Sequence, residues 1–373
     1  MIIFYLILNI KCVNLIIIMA VERQNSRAEN LHIEKFKLKD ESEIIFIKGY
    51  GKSYGVGVDK FKNIYIPSFD RGFLYKILPN LKDYEIFDIK ENELIKISEN
   101  ESPSYKKGSF IQPHDVVFDN LNNIYITEMG HGSGKLRGQV TKFSEDNKLI
   151  AKIGIDANNG NGLDGPTVSH FTEDGYVYVS EWRANKILKY NKNYNVEKTF
   201  GKINDDKDNL FDSLNKPHAV RMGPSKEIYI ADTENHRIVK FDNFGKYIGW
   251  IGKKKDGTIN NDWSKVGNSV SGCEIGAFNA IIDLEIFNKK IYVSEYGNHR
   301  ISKVDLNGKT LGWTGESLIN KDKLKWNMSG EAIKSDSLIG LNNPFGFRIV
   351  DKILYIADKN NGRIKIIKSN LFN

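Results

Sequence analysis

Asn63-Ile64-Tyr65-Ile66 returns as Asn123-Ile124-Tyr125-Ile126. It recurs in looser form as Tyr176-Val177-Tyr178-Val179, Glu227-Ile228-Tyr229-Ile230, Lys290-Ile291-Tyr292-Val293 and Ile353-Leu354-Tyr355-Ile356. The six tyrosines stand 60, 53, 51, 63 and 63 residues apart. Self-similarity at such a period marks a repeat architecture, in which each unit buries its apolar faces only against its neighbours.

The fourth copy shows what one unit contains. Pro217 to Met222 is a short apolar run and Gly223-Pro224-Ser225-Lys226 is turn chemistry. Glu227 to Ala231 and Arg237 to Phe241 alternate polar with β-branched or aromatic residues, as strands do. Asp232-Thr233-Glu234-Asn235-His236 separates them, and Tyr247 to Ile251 supplies a fourth strand after Asp242-Asn243-Phe244-Gly245-Lys246. Four short antiparallel strands, six times over, predict an all-β, six-bladed β-propeller. The last copy runs from Phe345 to Lys368 and holds only three strands, whereas Glu43 to Gly49 looks like an outer strand. The expectation is that residues 43–49 complete the last blade and remove an open sheet edge. Residues 43–373 then form one propeller, after a hydrophobic segment at 1–19 and a polar lead-in at 20–42.

Asp232…Arg237 recurs as Glu295…Arg300 and Asp358…Arg363, and more weakly as Glu181…Lys186. A charge pair repeated in blade after blade is scaffold: an acid closing one strand pins a base opening the next. Asp232-Thr233-Glu234-Asn235-His236-Arg237-Ile238 and Glu295-Tyr296-Gly297-Asn298-His299-Arg300-Ile301 resemble the Asn-His-Arg centre of the NHL repeat family. That resemblance covers about residues 50–370 and implies the same six-bladed fold.

The formal net charge is +7, but only 10 of the 54 basic residues are arginine, and the lysines form no cluster. Such a surface is solvated rather than a nucleic-acid groove, which would concentrate arginine and aromatics. Two cysteines, Cys12 and Cys273, provide no disulfide framework. The segment 1–19 lacks a basic start and small-residue end, and Lys11 interrupts it. It reads equally as an export signal or membrane anchor, or as an overlong start preceding Met19. The compartment follows from that choice: exported or membrane-attached in the first case, cytoplasmic in the second.

Function in a propeller concentrates where the inner strands begin. Counting back 11 from each repeat tyrosine gives Tyr54, His114, Thr167, His218 and Ile281; the last copy is one residue shorter and gives Phe345. These six are expected to ring the channel mouth. His114 and His218 stand two blades apart, each after a proline, and neutral imidazole is both a common metal ligand and an acid–base group. Arg71, Arg137 and Arg183 fall in the second turns of three consecutive blades, where guanidinium forks suit carboxylate or phosphate. Gly130-His131-Gly132-Ser133-Gly134-Lys135 looks phosphate-binding but is a hairpin turn, and so brings His131 towards the same mouth. Asp156 to Asp164 has calcium-loop composition but lacks the closing Glu, since the twelfth position is Thr167. The stretches 79–111, 144–165, 201–216, 253–276 and 315–343 read as long links, the usual place for binding loops.

The order Pro113-His114, Pro166-Thr167, Pro217-His218 resembles the peptidyl-α-hydroxyglycine α-amidating lyases. That resemblance implies zinc held by inner-strand histidines in alternate blades, with His114 and His218 as ligands. It also implies a catalytic arginine, placed at Arg71 within Phe69-Asp70-Arg71-Gly72. The third ligand position is Phe345, and the family's catalytic tyrosine falls near Arg183, so the pattern is incomplete. Two readings therefore stand. One is a propeller binding a small anionic molecule, a peptide or a protein partner at the channel mouth. The other is a zinc-dependent lyase or hydrolase.

Overall fold

In the computed structural model, the described residues are 31–98, 108–131, 137–154, 162–201, 213–265, 267–321 and 323–372. The hydrophobic segment 1–19 and most of the Asp156–Asp164 loop lie outside them. Six antiparallel sheets stand around a central channel, one for each tyrosine repeat. The inner strands are Gly57–Val58, Pro113–Phe118, Pro166–Phe171, Pro217–Met222, Ile281–Phe287 and Pro344–Val350. The repeat tyrosines sit in the second strands, and buried clusters fill the space between adjacent blades, as where Val220 meets Tyr178 and Ile187. The chain is thus an all-β, six-bladed propeller.

The ring closes as the sequence predicts. Glu43–Lys48 pairs antiparallel with Arg363–Lys368, aligning Ile45 with Ile366, so both ends of the chain build the sixth blade. Part of the stretch read as lead-in adds to it: His32–Lys37 forms a fifth strand outside Glu43–Lys48. That strand reads as polar because an outermost strand needs few apolar contacts. Ile33 and Phe36 suffice, each covering a different core cluster, and an ion pair between Lys48 and Glu34 (2.9 Å) lies along the edge.

Several stretches read as links also contain strands. Tyr84–Lys90 and Glu93–Ile97 lie in 79–111, Leu149–Ile153 in 144–165, and Ile259–Ser264 in 253–276. Trp263 and Trp326 each stand 13 residues after another tryptophan, Trp250 and Trp313, and both are held in the same way. Trp263 donates Nε1–H to the Leu306 carbonyl at 3.0 Å, and Trp326 to the Leu371 carbonyl at 2.8 Å, each clasping the outer edge of the following blade.

Close approach of the first blade to the second and to the last depends on two glycines. A Cβ on Gly55 would lie 2.6 Å from the His114 carbonyl oxygen, and one on Gly346 would lie 2.7 Å from that of Tyr54. The Gly346 N–H donates to that same Tyr54 carbonyl at 2.8 Å.

The repeated acid–base pairs are the pins expected. Arg237, Arg300 and Arg363 each donate Nε–H at 2.7 Å to Asp232, Glu295 and Asp358, all three carboxylates being wholly buried. The remaining guanidinium N–H groups hold the incoming link, as Arg300 holds the carbonyls of Cys273 (2.6 Å) and Ala277 (2.9 Å). His236 and His299 accept the N–H of Ala280 (3.0 Å) and Asn343 (3.1 Å) at the start of the next blade. Removing one partner of such a pin strands a buried charge. Arg300→Ala is expected to destabilise the protein by about 3–5 kcal/mol. The double variant with Glu295→Ala should lose less than the two single losses combined. Urea unfolding of the four proteins checks this.

Candidate functional site

The inner strands begin at a cluster of rings. Tyr54 stacks on His114 (centroids 5.1 Å apart, 11° between planes), and His114 lies 5.1 Å from His218. Phe345 closes the group edge-on, 4.8 Å from Tyr54, 5.6 Å from His114 and 5.0 Å from His218. Four of the six ring positions therefore meet across the axis. The other two belong to the wall. Thr167 donates its hydroxyl to the His218 carbonyl at 2.7 Å, and Ile281 is wholly buried with its carbonyl accepting from Thr233 at 2.6 Å.

Both imidazoles are buried, and among the described residues neither Nδ1 has a hydrogen-bond partner. Burial opposes the charged form. It pulls His218 down to about 3, and it carries His114 well below the ordinary histidine range with help from the neighbouring His218. The two rings are therefore neutral at physiological pH.

Of the arginines, Arg71 is tied down, donating at 3.1 Å to both the Gly49 carbonyl and the Tyr75 hydroxyl. Arg183 lies 5.9 Å from the Trp182 ring, and His131 and Arg137 are exposed at either side of 132–136. Arg71, Arg137, Arg183 and His131 make no ring contact with the cluster among the described residues.

The cation that does reach it is Lys359, absent from the sequence reading. Its Nζ lies 5.1 Å from the ring centroids of Tyr54 and Tyr296 and 5.6 Å from that of Phe345. The repeat holds the signal that finds it. Counting four forward from each tyrosine gives Phe69, Met129, Trp182, Thr233, Tyr296 and Lys359, an upper ring at the turn after the second strand. Phe69 packs on Tyr54 (4.6 Å) and Tyr296 on Phe345 (6.0 Å), joining the two rings.

A catalytic zinc site needs three protein ligands and an open position. Two imidazoles are present, the third place holds a phenyl ring, and no three His, Cys, Asp or Glu side chains converge among the described residues. The residues do not fit a three-ligand zinc centre.

Below the rings the channel is closed by charge. Arg348 donates both Nη2 bonds to Asp115 (2.7 Å each) and an Nη1 bond to Asp283 (2.9 Å). Arg221 donates to the other oxygen of Asp283 (2.9 Å) and to Glu285 (2.8 Å). Four blades are thereby joined across the axis.

Comparison with known proteins agrees with this architecture. Residues 214–241 match the NHL repeat family. The chain is a six-bladed β-propeller with an NHL repeat. The propeller is similar to virginiamycin B lyase from Staphylococcus aureus (TM-score 0.50, 10% identity, covering 91% of this chain and 100% of that one). It is also similar to a gluconolactonase from Xanthomonas campestris (TM-score 0.54, 9% identity, 89% and 90% covered). A third similar structure is an auxiliary nutrient binding protein from Bacteroides thetaiotaomicron (TM-score 0.55, 14% identity, 86% and 70% covered). At these identities the likeness is one of fold. No curated protein matches the chain.

The buried imidazoles make stability depend on pH. Unfolded histidine binds a proton near 6.5, whereas folded His218 does so only near 3. The stabilisation is therefore present above pH 6.5 and is lost as pH falls through that window. Acidification from pH 6.5 to 5 should cost up to about 2 kcal/mol through this one residue. The unfolding free-energy difference between wild type and His218→Asn, measured by urea unfolding at both pH values, should change by that amount in favour of the variant.

Proposed function

We propose that this propeller binds a small anionic molecule with a flat apolar body at the histidine–aromatic mouth of its channel. The observation that carries the reading is Lys359, whose ammonium lies over three rings, two of which, Tyr54 and Phe345, pack against the buried imidazoles of His114 and His218. Tyr54 and Phe345 would pack against the apolar body, while Lys359 meets the charge. The unpartnered Nδ1 atoms of His114 and His218 would discriminate by hydrogen bonding, since a buried polar atom left without a partner is costly. Ligand sites commonly combine an apolar lining with a few convergent polar groups. A peptide or protein could present the same chemistry through a carboxylate terminus, with Arg71, Arg137, Arg183 and His131 as outer contacts.

A second reading, a zinc-dependent lyase or hydrolase using His114, His218 and Arg71, is favoured by the paired unpartnered Nδ1 atoms. Phe345 weakens it by removing the third ligand. Zinc measured by elemental mass spectrometry in purified wild type and in His114→Ala/His218→Ala separates the readings. Near-stoichiometric metal lost in the double variant would favour the enzyme.

For the binding reading, titration calorimetry with benzoate and phenyl phosphate is the direct test. Lys359→Gln is expected to weaken both by about tenfold or more, the loss of one charge-assisted contact. Tyr54→Leu should weaken them by a comparable factor. Unchanged affinity in Lys359→Gln would sink the proposal.

A further inference from the structure

The inner strands end at a second opening, opposite the histidine mouth. One partly exposed apolar residue from each blade forms its collar: Val58, Phe118, Phe171, Met222, Ile286 and Val350. Behind the collar lies a cavity of about 280 Å³ with Arg221, Arg348, Glu285 and His170 among its lining residues.

The charges there are unequal. Two guanidiniums face three carboxylates: Asp115, Asp283 and Glu285. Arg348 directs its Nη groups at Asp115, Asp283 and the Phe347 carbonyl, and Arg221 directs its own at Asp283 and the Val220 carbonyl. Both forks are thus engaged by the protein before any ligand arrives. Glu285 gives Oε2 to Arg221, and its Oε1 has no protein donor among the described residues. Its side chain is 19% exposed, against 6% for Arg221, 8% for Arg348, 2% for Asp115 and 0% for Asp283. The charge that reaches the cavity is therefore negative. His170 adds none, because burial first and then the two arginines pull its imidazole down to about 3.

We propose that this lower cavity is a second ligand site, separate from the mouth, that takes a small organic cation. An amine head would meet Glu285, and an apolar body would lie within the collar. The Asp115–Arg348–Asp283–Arg221 network lies between the two openings, so occupancy of one end does not require the other. An anion is disfavoured here because neither arginine is free to turn its fork into the cavity. This preference is opposite in sign to that of the mouth, where Lys359 is the accessible charge.

The test is titration calorimetry of the full-length protein with benzylamine, benzyl alcohol and benzoate. Benzylamine is expected to bind with a Kd of about 1 mM or lower, in the range of useful binding for a ligand of about eight heavy atoms. It should bind about tenfold or more tightly than benzyl alcohol. Glu285→Gln should abolish the preference for the amine over the alcohol. Met222→Trp, which fills the collar without touching the charge network, should abolish benzylamine binding, while Lys359→Gln should leave it unchanged. Should Glu285→Gln fail to fold by circular dichroism, Met222→Trp decides the matter alone. The proposal is overturned by wild-type protein that does not bind benzylamine, by benzylamine affinity that survives Met222→Trp, or by an amine preference that survives in folded Glu285→Gln.

Discussion

Asp283 is wholly buried, yet it holds two arginines from different blades, Arg221 and Arg348, one on each oxygen. Its oxygens also accept the backbone N–H groups of Leu284 (2.9 Å) and Phe347 (3.1 Å). Burying charge is costly, and it is tolerated only where geometry and hydrogen bonding are complete. Here they are nearly complete: Asp115 holds Arg348 from the far side and Glu285 holds Arg221. Six separate sheets have little reason to keep a common axis beyond the packing of neighbours. The network supplies a cross-axis tie among the second, fourth, fifth and sixth blades. It also lies across the channel beneath the ring cluster.

The outer pins act at a different level. Asp232 and Asp358, each at the end of a second strand, hold both the arginine that starts the third strand and a backbone N–H of the link arriving from the previous blade, that of Asn215 at 2.7 Å and of Asn342 at 2.8 Å. Strand, turn and link are thereby locked together. The histidine of the same motif reaches forward to the next blade. These groups are saturated by the fold itself, which leaves them nothing to offer a ligand. The mouth differs: His114 and His218 keep Nδ1 atoms without a hydrogen-bond partner among the described residues. Histidines thus serve in both the scaffold and the candidate site.

Much of this was legible in advance. Period-2 alternation around six tyrosines predicts the blades, the missing strand predicts the closure by residues 43–49, and a fixed offset from each tyrosine finds the inner ring. The same offset, run four residues forward, reaches Lys359, but one lysine among 44 carries no signal in composition alone. Arg71 stands in a rim turn, and its guanidinium donates to the Gly49 carbonyl and the Tyr75 hydroxyl, contacts that only the folded chain brings together. The strand His32–Lys37 is not legible because an edge strand carries too few apolar residues to break the polar pattern.

The sequence by itself determined the repeat, the blade count, the closing strand and the local pins, because each depends on residues close in the chain or on a strict period. The tertiary structure alone decided which charges meet at the axis. Asp115 and Arg348 are 233 positions apart, yet they share a bidentate pair at 2.7 Å. No local pattern encodes that pairing, since an aspartate in one inner strand and an arginine in another become partners only when the ring closes. The same closure sets the sign of each opening: a lysine remains accessible above the rings, and a glutamate remains accessible below the network.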